Sequence, residues 1–182
     1  MPDLQQSVVV DFPHGRIESR TGSTERLVAL PSSWFARVFE LDAPLDGLAD
    51  ALAEPVAKEA LDILDGDPDP TPDDVATAIS IALGARGLGL VSFERWGDLV
   101  CAVWRDPPAA SSGFDGFAER VLARVVGDVI GLDASGVVID RGGGRLTVLL
   151  GTEETCAHVR ALVAQGVGLP RLADHLIAGD AA

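Results

Sequence analysis

The chain has 182 residues, a formal net charge of −14 and 47% hydrophobic residues. That apolar fraction supplies a buried core and excludes a disordered type. The acidity, with no Lys/Arg cluster, argues against nucleic acid or an anionic membrane surface as partner.

No apolar run approaches the roughly 18 residues of a membrane span, and the start, MPDLQQSVVVDF, does not read as a signal peptide. The basic residues are arginine apart from Lys58, and Tyr and Asn are absent; a GC-rich bacterial genome explains this better than a site does. Cys101 and Cys156 are the only cysteines. They give neither a zinc framework nor a disulfide scaffold, so a reducing cytoplasmic setting is expected. A chain of this length is most simply a single domain, 1–182, with a helical C-terminal extension over 152–182.

In chain order, Ser7–Asp11 and Arg16–Arg20 read as short strands around Pro13-His14-Gly15. A turn at Thr21–Thr24 leads to strand Arg26–Leu30. Pro31-Ser32-Ser33 starts a helix, with Ser32 or Ser33 as its cap, carrying the stripe Trp34, Phe35, Val38 and Phe39. Core packing is the first reading of that stripe; a groove wall or dimer face is the second. Pro44–Leu64 is helical in composition, with a break or kink expected at Pro55. Lys58 falls just after it, on an expected solvated face beside Glu54 and Glu59. Gly66–Pro70 is a linker. Thr71-Pro72-Asp73-Asp74 is a cap, a proline at the first helical position and two acids favoured by the helix dipole. Val75, Ile79, Ala82 and Leu83 form that helix's buried stripe, and Gly84, Gly87 and Gly89 lead out of it.

The central stretch runs from Leu88 to Gly131: strand, turn, strand, Pro/Ser loop, amphipathic helix. Gly97-Asp98 suits a two-residue hairpin loop. The resulting register sets Phe93 opposite Ala102 and Val91 opposite Trp104. Val91, Phe93, Val100, Ala102 and Trp104, with Arg95 near the turn, then share a core face. Ser92, Glu94, Cys101, Val103 and Arg105 share the other, expected to be partly wet in a sheet covered on one side. Asp106-Pro107-Pro108 ends the second strand. Ser111, Ser112 or Asp115 caps a helix whose stripe is Phe114, Phe117, Val121, Leu122, Val125 and Val129; it is expected to roof the Phe93/Trp104 face. Arg124 and Asp128 are spaced to pair on its exposed side.

Two further strands, Gly136–Asp140 and Arg145–Gly151, flank Arg141-Gly142-Gly143-Gly144. Thr152-Glu153-Glu154 caps a helix with Cys156, Val159, Leu162 and Val163 facing inward. Leu169–Ile177 is a last short helix with Pro170 in its first turn. The fold class is therefore α+β: an antiparallel sheet, with hairpins near 88–105 and 136–151, packed against several helices.

Chemistry-bearing motifs are scarce. Gly87-Leu88-Gly89 has Ser92 where a third glycine belongs and precedes a strand, whereas a dinucleotide fingerprint opens a helix. Cys156 and His158 are two apart on a helix and diverge; no metal site is expected. Asp73/Asp74 and Glu153/Glu154 lie in first helical turns, where dipole complementarity explains them better than acid–base catalysis. No catalytic residue and no cofactor is assigned.

The run from Asp74 to Gly131, a helix, then GLGLVSFERWGDLVCAVWRDPPA, then GFDGFAERVLARVVGDVIG, resembles the 4-vinyl-reductase-like domain, which is related to small subunits of eukaryotic vesicle-tethering transport-particle complexes. The upstream GRIESRTGSTERLVALPSSWFARVF is compatible with the domain's N-terminal part. The resemblance implies a mixed α/β fold, often dimeric, with an apolar cavity or groove, in modules that mostly bind ligands, sense or assemble. Bacterial members often carry a cysteine-containing segment late in the chain. Here Cys156 has no second cysteine near it in sequence, which speaks against a metal-binding or sensing role of that kind.

Three readings follow. The first is a non-catalytic binding or assembly module, a homodimer taking a hydrophobic small ligand or a protein partner. Its groove or interface would draw on Trp34, Phe35, Phe93, Trp96, Trp104, Phe114 and Phe117. The second is an enzyme with an acidic site assembled from scattered residues. The third is a structural subunit of a bacterial surface or export assembly.

Overall fold

A computed structural model describes residues 8–11, 16–19, 26–27, 32–40, 45–65, 69–96, 99–109 and 111–177. Three short strands, β1 (Val8–Asp11), β2 (Arg16–Ser19) and β3 (Arg26–Leu27), form one antiparallel sheet in that order. The expected turns at residues 13–15 and 21–24, the end of the third strand and part of the linker, residues 66–68, lie outside the described residues. Helices α1 (Ser32–Phe39), α2 (Asp46–Leu64) and α3 (Pro72–Ala85) follow. A second antiparallel sheet then has the order β4 (Leu90–Trp96), β5 (Leu99–Arg105), β7 (Arg145–Gly151), β6 (Ser135–Gly142). Helix α4 (Ser112–Ile130) lies between its two hairpins in the chain, and α5 (Glu153–Ala164) and α6 (Leu169–Ile177) end it. The expected α+β class is the observed one.

The central hairpin has the register expected of it, with Phe93 opposite Ala102 and Val91 opposite Trp104. Its turn, Gly97-Asp98, lies outside the described residues. Trp104 is fully buried, stacks edge-on against Phe114 at 5.3 Å between ring centres, and donates its Nε1–H to the Leu88 carbonyl. Phe39, from α1, closes on Phe114 and Phe117 at 5.1 and 4.9 Å. The helix after the hairpin thus roofs the Phe93/Trp104 face. Ser111 caps it by accepting from the Phe114 N–H, and Gly131, at φ +71°, ends it in the left-handed conformation that glycine adopts without a Cβ clash. Gly89 is fixed by space as well as by φ: a Cβ there would lie 2.6 Å from the Arg105 carbonyl oxygen.

Three expectations need correction. The second face of the sheet is covered. Cys101, Val137, Ile139 and Leu149 pack against Cys156 and Val159 of α5 and Leu172 of α6, all buried. Val103 is buried too, while Glu94 and Arg105 are exposed. The two terminal helices supply the apolar cover that a local hairpin pattern cannot reveal. Second, α2 is not broken at Pro55. It runs through, its Ala49, Ala53, Val56 and Ala60 packed in the core, and the Pro55 carbonyl accepts from Arg86 Nη2 at 3.1 Å. One lost backbone donor is outweighed by that packing. Third, Glu59 is 1% exposed and ion-paired with Arg86, which also donates to the Ala82 carbonyl; Lys58 and Glu54 are on the wet side, as expected.

Candidate ligand groove

The capping box at the start of α3 sets the position of one groove wall. Thr71 accepts from the Asp74 N–H, and the Asp74 carboxylate accepts from the Thr71 N–H at 3.0 Å and from its hydroxyl at 2.5 Å. These bonds, the hydroxyl's first, hold the Asp74 carboxyl below the usual carboxylate range. With its N-terminus fixed, α3 presents Val75, Ala76 and Ile79 toward the sheet. The last turn of α4 presents Val126 and Ile130 from the other side, and the hairpin contributes Phe93 and Val100. Between them lies a cavity of about 560 Å³, within the roughly 300–1,000 Å³ of small-molecule sites.

The walls are apolar and the lip is charged: Asp73, Glu94 and Arg95 stand at the opening, all exposed. Val100 and Ile130 remain 39% and 46% exposed, so two large apolar side chains face the open space. Val100 was expected in the core. It sits close to the hairpin end, where α3 and α4 diverge and leave it uncovered. The groove offers dispersion and area burial to an apolar body. It offers no buried acid–base pair.

The aromatic residues expected to form a groove or interface are divided among several places. Phe93 lines this cavity. Trp104, Phe114 and Phe117 are buried in the main core, with Phe35 packed against it. Trp96 packs against the second cluster, beneath α5 and α6. Trp34 is 45% exposed and meets Phe35 edge-on at 5.2 Å. Sequence reasoning placed Val75 and Ile79 in the core and left Ile130 unassigned. The signal that could have found the site is Ile130 itself, an apolar residue at the last helical position where a wet side chain would ordinarily stand.

A second, polar cleft lies between α2, α4, β6 and α5. Several of its charges are paired. Arg120 grips Asp50 through two bonds of 2.9 and 2.7 Å, which lowers the Asp50 carboxyl and raises the guanidinium. Ser135 donates to Glu153 at 2.6 Å, and Arg124 pairs with Asp128 as its spacing predicts. These bonds tie α2 to α4 and β6 to α5.

The two cysteines share the second cluster, both fully buried and both free. Burial, and then the nearby Glu94, pushes the Cys101 thiol up to about 12; burial also raises Cys156. Thiols held protonated are poor metal ligands, and among the described residues no three His, Cys, Asp or Glu side chains come together to hold an ion. The donor set does not fit a metal centre built on these cysteines. No helix among the described residues is long and apolar enough to cross a membrane.

No family model matches the sequence, and no curated protein matches it. Among solved structures, the phenol-responsive sensory domain of the transcription activator PoxR, crystallised with phenol, is similar at a TM-score of 0.60 and 13% identity, over 88% of this chain and 92% of that one. The chain therefore shares its fold with a small-molecule sensory domain.

Proposed function

We propose that this chain is a non-catalytic, 4-vinyl-reductase-like ligand-binding module, and that a small hydrophobic molecule enters the groove between α3, α4 and the central hairpin. The observation that carries the reading is the groove itself: a cavity of about 560 Å³ walled by Phe93, Val75, Ile79, Val126 and Ile130 and open at Val100. The likeness to a phenol-responsive sensory domain supports the same class of ligand. In this reading the chain is a single domain, works as a cytoplasmic homodimer, and passes ligand occupancy to a partner through shape.

The test is thermal denaturation with phenol and a graded series of hydrophobic small molecules. A rise in melting temperature that follows ligand concentration is expected, because a ligand that binds only the folded state stabilises it by mass action. Ile130→Asp, at a position already 46% exposed, leaves the fold intact and removes the response. A series with no responding molecule, or an unchanged response in Ile130→Asp, sinks the reading.

A further inference from the structure

The groove between α3, α4 and the central hairpin adjoins a second cavity of about 420 Å³. Pro70 and Val75 line both, so the two meet at the start of α3. The second cavity is walled by Leu61 and Leu64 from the last turn of α2 and by Val129 from the last turn of α4. Val129 follows Val126 by three positions and precedes Ile130, and both of these line the first groove. Residues three apart share a helix face, so apolar surface runs from one cavity to the other. Leu61 is 45% exposed, much as Ile130 is.

The two ends differ in charge. The first lip is mixed, carrying Arg95 as well as Asp73 and Glu94. At the second cavity the charged lining is Asp62 and Asp65, both exposed, and among the described residues no Lys or Arg lines it. Helices α2 and α4 run in the same direction, since Asp50 bonds Arg120 nearer their starts and Leu61 shares a cavity with Val129 at their ends. Both therefore bring their C-termini, the negative ends of their dipoles, to this place. Neither has a basic side chain in its last turn. Two carboxylates, two helix C-termini and a net charge of −14 favour a cation there.

We propose that the ligand spans both cavities: a ring beside Phe93, an apolar chain over Val75 and Pro70, and a positively charged head at Asp62 and Asp65. An arylalkyl ammonium ion has that chemistry. A single ring fills the first groove and leaves Leu61 and Leu64 uncovered. An alkyl chain covers them, and the head relieves the like charges at the helix ends. This extends the proposed function and rests on it.

The test is isothermal titration calorimetry with phenol and with phenylalkylammonium ions of increasing chain length, each matched by the carboxylate of equal length. Affinity is expected to rise about threefold per added methylene until the second cavity is filled. The longest ammonium ion should bind about tenfold more tightly than its carboxylate, a preference that shrinks as salt is raised. Asp62→Asn together with Asp65→Asn removes the preference, and Leu61→Ser flattens the rise with chain length; neither changes phenol binding. Phenol binding with no dependence on chain length overturns the extended site and leaves the first groove standing. Equal affinity for the carboxylate, or a preference that survives the double substitution, does the same. No response to phenol or to any ion of the series overturns both.

Discussion

The two faces of the four-stranded sheet are both dry, but they are built from different parts of the chain. The first is covered by α3 and α4, with α2 packed on those two helices, and is filled with rings: Trp104, Phe114, Phe117 and Phe39. Much of it is local, since the roofing helix follows directly on the hairpin it covers. The second is covered by α5 and α6 and is filled with smaller groups: Cys101, Cys156, Val137, Val159 and Leu172. Its β6 and β7 directly precede α5, while Cys101 comes from the more distant β5. The first face has an opening at Phe93 and Val100, walled by α3 and α4. A face packed by two long helices has a seam between them, and that seam is the candidate site.

The comparison can be broken from either side. The largest effect is expected from Trp104→Ala, which removes the ring between Leu88 and Phe114. It should cost about 3–5 kcal/mol in urea unfolding. Leu172→Ala opens the second face, at a fully buried side chain. It should cost about 2–4 kcal/mol, and a negligible change would mean that α6 is a loose appendage. The smallest effect separates the faces by pH. The Cys101 thiol, about 12 when folded against 9.0 as the ordinary value, is held protonated by burial. Its contribution is fully present below the ordinary value and is lost as pH rises from there toward the folded value. Native protein should therefore resist a thiol reagent at about pH 8 that labels the urea-unfolded chain at once. Rapid labelling of the native protein would show the second face to be open.

The same comparison explains what was legible in the sequence. Alternation and three- and four-residue spacing are local signals; with the cap residues they resolved the central hairpin register, the Thr71 and Thr152 caps and the ring-lined core, and narrowed the α4 cap to Ser111, Ser112 or Asp115. They failed where the cover comes from afar. Cys101 and Val103 looked half wet because nothing in Leu88–Gly131 announces α5 and α6. Glu59 looked solvated because its partner, Arg86, lies in another helix. The groove was hardest to read, since it depends on where two helices separate. Aromatic character singled out Trp104, Phe114 and Phe117, which the core absorbs; the groove's remaining apolar walls are aliphatic.

The central claim is that the seam between α3 and α4 takes an apolar ligand. The most direct measurement is a methyl NMR titration with phenol, read at Val75, Ile79, Val100, Val126 and Ile130. The account predicts saturable shifts concentrated on those methyls, with Val137, Val159 and Leu172 of the second face unmoved. No shift at saturating phenol, or shifts centred on the second face, would contradict it.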